Sequence, residues 1–333
     1  MCNVMSKPMA IFYEHPEWFK PLFNKLEERD IPHEHVLAHE HHYEPDDGEI
    51  PYSLVVNRVS PSSYLRGHSS AIFYALQYLQ HLDALGVPTV NGYKAHLMEI
   101  SKARQLGLLK RLGVPHPRSL VVNAASQITA AANELEFPII VKPNIGGSGA
   151  LMQRFDTINE VREAVNDGLL DDVFVLDSTA IVQEFHPAVD DTITRVEALN
   201  GEILYGINIQ NDPSLGFNLC PASLEQRRQA AQADEGEACL TQTRSAEKAN
   251  PPDEVLEATL AIFHEAQIDI GGLEYLVSQR DGLIYFYDIN AMSNFVANAP
   301  DVVGFDPFDT FVDYLQTRYE SITRQPVAAA GGE

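Results

Sequence analysis

Two short stretches of this chain gather side chains suited to phosphate and metal chemistry. In FPIIVKPNIGGSGALMQRF, Phe137 to Phe155, an apolar run ends on Lys142, and Gly146, Gly147 and Gly149 follow at once around Ser148. An ammonium at the end of a buried run needs an anion or water beside it. The glycine loop exposes backbone N–H groups with no side chain to hinder approach, so it can wrap a phosphate chain. Taken alone, the stretch is equally a glycine-rich hairpin turn with a surface lysine. In YFYDINAMSNF, strand alternation puts Asp288 and Asn290 on one face. Glu274 lies on the preceding run and faces them if the chain reverses near Asp281-Gly282. Two carboxylates and an amide oxygen make a hard-oxygen set of the kind magnesium shares with phosphates and water. The alternative, two carboxylates on a solvated sheet edge, conflicts with the apolar company of GGLEYLV and LIYFYDIN.

Both stretches need rigid elements behind them. Residues 8–60 alternate as strand, helix, strand, strand: PMAIFYE, PEWFKPLFNKLEERD with apolar Trp18, Phe19, Leu22, Phe23 and Leu26 at helical spacing, IPHEHV, then YSLVVNRVS. A helix in SSAIFYALQYLQHLDALG and a strand in VPTVN complete a parallel α/β unit. HLMEISKARQLGLLKRLG reads as one helix closed by glycine, followed by a strand in VPHPRSLVV and a short helix in ASQITAAANELE. After the glycine loop come a strand and helix in LMQRFDTINEVREAVNDGLL and a strand in TAIVQEFH. DTITRVEALNGEILYGINIQ reads as two strands about an Asn200-Gly201 turn. Residues 211–252 are polar and too long for an ordinary connection, which suggests a lid or a partly disordered insertion. A helix in DEVLEATLAIFHEAQ, the hairpin bearing Glu274 and Asp288, a last helix in DPFDTFVDYLQTRYESI and a loose tail follow.

Composition narrows the function classes. With 333 residues, 45% hydrophobic and 21% charged, the chain can bury several cores. A formal net charge of −24 argues against nucleic acid, although one nucleotide needs only a local nest of cations and N–H groups. No apolar run is long enough to span a bilayer, and the opening residues MCNVMSKPMAIFYEHPEWF lack the charged head and long apolar stretch expected of a secretory signal. Cys2, Cys220 and Cys239 form neither a metal spacing nor an even disulfide set, so a reducing cytoplasm is expected. Cys220 reads as a buried thiol rather than a nucleophile, since no partner histidine lies nearby. HEHVLAHEHH, with His33, His35, His39, His41 and His42, reads as a solvated loop or a local pH-responsive patch rather than a zinc site. Neither a Walker-type P-loop nor a G-x-G-x-x-G is present.

In their order along the chain, these parts resemble the ATP-grasp superfamily, nearest its RimK-like branch of carboxylate–amine ligases, and are similar to glutathione synthetase. The resemblance covers nearly the whole chain. It implies an α/β (α+β ATP-grasp) architecture, with a Rossmann-like N-terminal domain (1–92) followed by a two-lobed ATP-grasp domain. The lobes are a central lid subdomain (93–182) and a C-terminal subdomain (183–325) carrying the insertion at 211–252, with a flexible tail at 326–333. Lys102, in ISKARQLGLL, matches the first nucleotide lysine and Lys142 the second, with Gly146, Gly147, Ser148 and Gly149 as the phosphate loop. Glu184 and Phe185, in IVQEF, match the hinge that receives adenine, mainly through backbone contacts. Arg195 aligns with the arginine after the hinge, and Asn218, in GFNLCP, with the asparagine near the terminal phosphate. Glu274, Asp288 and Asn290 fall on the three metal positions. Three departures stand out. The ribose-binding acid of the branch is replaced by Ile193, leaving Asp190 or Asp191 for that contact. An arginine is replaced by Gly216, with Arg227, Arg228, Arg244 or Arg280 as other sources of its charge, and AMSNF stands where relatives have proline and glycine.

The resemblance implies an ATP-dependent ligase that joins a carboxylate to an amine through an acyl phosphate, with magnesium, or manganese in its place, as the metal. Small-molecule carboxylates and amines, or a peptide, are the expected partners, with no nucleic acid or membrane and a homo-oligomeric state. Arg195 and Asn218 would be catalytic; Arg58, ending a buried strand, would face substrate or form a structural ion pair. Two other readings remain open at this level: modification of a peptide or protein side chain, and a nucleotide-binding interaction protein without turnover. The complete set of Lys142, Glu274, Asp288 and Asn290 argues against the last.

Overall fold

The computed structural model describes residues 7–46, 48–147, 149–210, 246–296 and 298–324. Ser148, Gly216, Asn218, the three cysteines, Arg227, Arg228, Arg244 and the tail lie outside the described residues.

Strand β1 (Met9–Tyr13) is buried throughout and sits inside a parallel sheet of order β2-β1-β3-β4, with β2 at His33–Leu37, β3 at Leu54–Arg58 and β4 at Thr89–Val90. Its alternation serves two layers. Met9, Ile11 and Tyr13 pack with Leu22, Phe23 and Leu26 of α1 (Lys20–Glu28), while Ala10 and Phe12 pack with Ala75, Tyr78 and Leu79 of α2 (Ser69–Ala84). His33 and His35 stand on an edge strand, as expected of IPHEHV, and the polar connection expected of HEHVLAHEHH begins only after Leu37. Hydrogen bonding to β1 overrides the weak apolar signal of HEHVL.

The single helix expected over 96–113 is two: α3 (Tyr93–Glu99) and α4 (Lys102–Arg111). Ser101, extended at φ −151°, breaks it and caps α4 by accepting the Arg104 N–H at 3.3 Å. The break puts Lys102 in the first turn of a new helix. Asn144, just past the Lys142 strand, secures that turn: its carbonyl accepts the Lys102 N–H at 3.2 Å and its side-chain oxygen the Ala103 N–H at 2.9 Å.

A second, antiparallel sheet has the order β5-β8-β6-β7, with β5 at Ser119–Val122, β6 at Ile139–Pro143, β7 at Gln153–Phe155 and β8 at Ala180–Glu184. Ile139 and Val141 pack on α5 (Ala125–Ala132) and α6 (Ile158–Asn166), so Lys142, next along, turns to the other face.

A third sheet has the order β11-β10-β9-β12-β13, with β9 at Ala188–Leu199, β10 at Glu202–Gln210, β11 at Ala246–Ala249, β12 at Ile270–Ser278 and β13 at Ile284–Asn290. The β9–β10 turn is Asn200-Gly201, both at positive φ (52° and 77°), as a two-residue hairpin requires. The polar stretch expected to run to 252 gives way at Ala246 to edge strand β11, paired antiparallel to β10, because backbone pairing needs no apolar pattern on an edge. Helix α7 (Asp253–Ala266) covers this sheet; α8 (Ala299–Val303) and α9 (Pro307–Thr323) end the described chain. Phe311, Val312 and Leu315 of α9 return to the α1 face of the first sheet.

Candidate active site

Three strands of the third sheet put acidic and basic side chains into two neighbouring rows. Arg195 on β9, Glu274 on β12 and Asp288 on β13 are direct cross-strand partners, and so are Glu197, Gly272 and Asn290 beside them. The Arg195 guanidinium can lie across the rows because Gly272 has no side chain; a Cβ there would come within 2.4 Å of Arg195 Nη2. Arg195 donates to Glu274 Oε1 at 2.9 Å, Glu197 Oε1 at 2.6 Å and Ser293 Oγ at 3.2 Å, and Ser293 Oγ donates to Glu197 at 2.7 Å.

A bulge between Glu274 and Tyr275 interrupts the β12–β13 register and leaves Tyr287 unpaired. The bulge re-aims its side chain, and the Tyr287 hydroxyl donates to Glu274 Oε2 at 3.0 Å. Lys102 donates to Asp288 Oδ1 at 2.9 Å, and Asn290 Nδ2 to Asp288 Oδ2 at 3.0 Å. Burial raises the Glu274 carboxyl above its ordinary value against the pull of Arg195. Burial acts the same way on Asp288, but the Lys102 charge and hydrogen bond prevail and hold its carboxyl low. Lys102 itself, disfavoured by burial, is held above the usual lysine value by Asp288.

Lys142, from the second sheet, is held otherwise. Its Nζ donates to the amide oxygen of Gln183 at 2.8 Å, and Gln183 donates in turn to Ser119 Oγ at 2.8 Å. Burial, reinforced by the nearby positive Lys102, brings the Lys142 ammonium down to about 7. A buried cation whose only hydrogen-bond acceptor among the described residues is a neutral amide is a site that gains from a bound anion. The glycine loop beyond it rests on the turn after β3, with Gly147 so near Ser62 that an added Cβ would lie 2.7 Å from the serine Cβ. Gly149 is left-handed, at φ 62°.

No protein-family profile matches the chain. Among curated proteins it is 29% identical over 148 residues to the D-alanine–D-alanine ligase of Hydrogenovibrio crunogenus, spanning 43% of this chain and 47% of the relative. It is 32% identical over 124 residues to that of Pseudomonas putida (strain GB-1), spanning 37% of this chain and 36% of the relative. The chain thus matches less than half the length of these curated relatives. Solved structures align along nearly all of both chains. The ATP-grasp ligase PsnB, complexed with a minimal precursor, gives a TM-score of 0.64 at 16% identity, covering 94% of this chain and 99% of its own. D-cycloserine synthetase DcsG gives 0.65 at 15%, covering 93% and 99%, and the Bacillus anthracis D-alanine–D-alanine ligase complexed with ATP gives 0.63 at 14%, covering 96% and 99%. This chain has the ATP-grasp fold.

Within the ATP-grasp frame, the residues singled out from sequence divide into two groups. Lys102, Arg195, Glu274, Asp288 and Asn290 form one connected network, with Lys142 beside it, near enough for its charge to act on Lys102 and Asp288. Glu274, Asp288 and Asn290 offer oxygens from facing strands, and Asn290, which spends its amide nitrogen on Asp288, keeps its oxygen for a cation, so the donor set fits a hard divalent metal. The others lie apart from this network. Glu184 holds the Glu136 N–H at 3.0 Å; the Phe185 N–H donates to the Pro138 carbonyl at 2.8 Å, and its own carbonyl accepts from Arg280 at 2.6 Å. Asp191 is exposed and left-handed at φ 51°, and Ile193 is buried beside Ile207 and Leu276.

Arg58 is 1% exposed, between the rings of Phe19 (5.2 Å) and Phe311 (5.5 Å). It donates to the Ser293 carbonyl and, at 3.2 Å, to Asn294 Oδ1, while Nε and Nη1 have no partner. Glu99 and Glu197 act on it only through their charge, and no ion pair to it forms among the described residues. Sequence reasoning missed Glu197, Ser293, Tyr287 and Gln183. A signal existed for Glu197, which follows Arg195 at strand spacing on the same face, but nothing local announces a bulge or a cross-strand amide.

Proposed function

We propose that this chain is an ATP-dependent carboxylate–amine ligase. The observation that carries the proposal is the row Arg195–Glu274–Asp288 closed by Lys102, with Lys142 presented opposite it from the glycine-loop sheet. That arrangement suits a triphosphate: cations for its inner phosphates, a pliable N–H loop, and oxygens for a metal. In this reading Lys102 and Lys142 neutralise the α- and β-phosphates while Gly146, Gly147 and Gly149, with Ser148, close over them. Glu184 and Phe185 line the base, and Asp191 is the acid left for the ribose. Magnesium, or manganese, when held by Glu274, Asp288 and Asn290, supplies charge that offsets the phosphate oxygens during transfer.

The substrate carboxylate attacks the γ-phosphorus, ADP leaves, and an acyl phosphate forms. An amine nitrogen then attacks the acyl carbon and expels phosphate, giving an amide and releasing a proton to solvent. Arg195 would stabilise the oxyanion of that second step, its geometry fixed by Glu197 and Ser293. Arg58 supports the 291–295 turn on the acceptor side, and its unsatisfied Nε and Nη1 suit a carboxylate there. Asn218 is proposed to lie near the terminal phosphate. The likeness to D-alanine–D-alanine ligases favours amino acids as substrates. A peptide is the second reading, favoured by the likeness to PsnB, solved with precursor peptide PsnA2.

The test is magnesium-dependent ADP release across amino acids and short peptides, singly and in pairs, with products identified by mass. Release with one pair, and a product lighter by one water than their sum, is the expected result. Tight ATP binding with no turnover on any pair, peptides included, would reject the ligase.

A further inference from the structure

The histidines of the edge strand stand outside the network described above. His33 and His35, two apart on β2, share one face, and Glu27 reaches toward them from the last turn of α1. One ligand atom of each lies within 4.8 Å of the other two, which among the described residues is the only such grouping of three histidine, cysteine or acidic side chains.

Two further features prepare these rings for a metal. His33 Nδ1 stands 2.8 Å from the Ile31 carbonyl, which can only accept, so Nδ1 carries the proton and Nε2 keeps its lone pair for a metal. His35 is stacked on Phe23, 3.8 Å between ring centres and 23° between planes, which fixes its orientation against α1. Zinc bonded at about 2.0–2.1 Å brings tetrahedral ligand atoms to within about 3.4 Å of one another. The exposed Glu27 side chain can close its own distances to the two rings by changing rotamer, and a small rotation of the half-buried His33 ring brings the imidazole nitrogens together.

We propose that Glu27, His33 and His35 form a binding site for a zinc-class divalent cation, which pins edge strand β2 to α1. Two imidazoles and one carboxylate favour zinc over magnesium, whose preference is for oxygen. With all three ligands near the surface, the fourth position faces solvent. The site lies on edge strand β2 of the first sheet and belongs to neither of the sheets that hold the phosphate-facing residues. It is therefore independent of the ligase reading.

The experiment uses the full chain, stripped with chelator and dialysed against micromolar zinc in the presence of millimolar magnesium, which occupies oxygen sites. Bound zinc is counted by elemental analysis for the wild type, His33→Ala/His35→Ala and Glu27→Gln, with metal-free melting temperatures confirming that each variant folds. The wild type is expected to hold one zinc per chain more than the double variant. Zinc should raise the melting temperature of the wild type but not of the double variant, as selective binding to the folded state requires. Glu27→Gln should weaken zinc at least about tenfold, in line with the loss of one anionic ligand. Equal zinc content in the wild type and a folded double variant would overturn the site, and an unchanged affinity in Glu27→Gln would remove the carboxylate from it.

Discussion

The two lysines that face the candidate nucleotide site are held in opposite ways. Lys102, from α4, is paired with Asp288, and Arg195 is shared by Glu274 and Glu197, so both cations at the third sheet already have anionic partners within the protein. Lys142, on the second sheet, is bonded to a neutral amide, and burial keeps its proton loosely held, at about 7. One region is preorganised by its own charges and the other waits for an anion. The comparison suggests that a nucleotide contributes little to the shape of the β9–β12–β13 face and much to the charge state of the β6–β8 face.

Asp288→Asn should strike the preorganised region hardest. It removes a proposed metal ligand and the partner of Lys102 together, and a loss on the order of 10³ in kcat is expected in steady-state ADP release. Activity within tenfold of the wild type would mean that this face is not where phosphate is transferred.

Lys142→Met tests the waiting region. With the free lysine near 7 and its pKa raised by bound phosphates, ATP binding at pH 8 should take up close to one proton, read by calorimetry in buffers of different ionisation enthalpy. The variant should take up none and lose about 10²-fold in kcat/KM. Stability carries the matching sign. The folded-state pKa is depressed, so between about 7 and the ordinary lysine value of 10.5 the unfolded chain holds more protons than the folded one. Without nucleotide, wild-type stability relative to Lys142→Met should therefore rise with pH across that window and be lost as pH falls toward 7. A flat difference in urea unfolding would show that Lys142 is not held as described.

Glu197→Gln is the mildest probe. It removes charge from the carboxylate that fixes Arg195 and Ser293 but leaves Glu274 in place, so a loss of about 2 kcal/mol in urea unfolding is expected. The substrate KM should change little if Arg195 acts chiefly on the oxyanion.

Much of this arrangement was readable in the sequence, for reasons that differ by residue. Alternation alone gave Asp288 and Asn290 a common face, and the Asp281-Gly282 turn set Glu274 opposite them. Lys142 was visible as an ammonium ending an apolar run. The break at Ser101 was not, because 96–113 keeps helical apolar spacing on both sides of it, and its meaning lies in Asn144, distant in sequence. Tyr287 was hidden by a bulge that shifts the strand period, and the start of the polar connection in HEHVLAHEHH was misplaced because an edge strand need not be apolar. What was legible followed from local period; what was not depends on pairing between distant segments.

The most direct measurement follows the oxygen. A carboxylate substrate found in the ADP-release panel would be labelled with oxygen-18 and turned over with its amine, and the released phosphate analysed by mass. An acyl phosphate requires one labelled oxygen to appear in each inorganic phosphate. Phosphate free of label, with product still formed, would contradict the account.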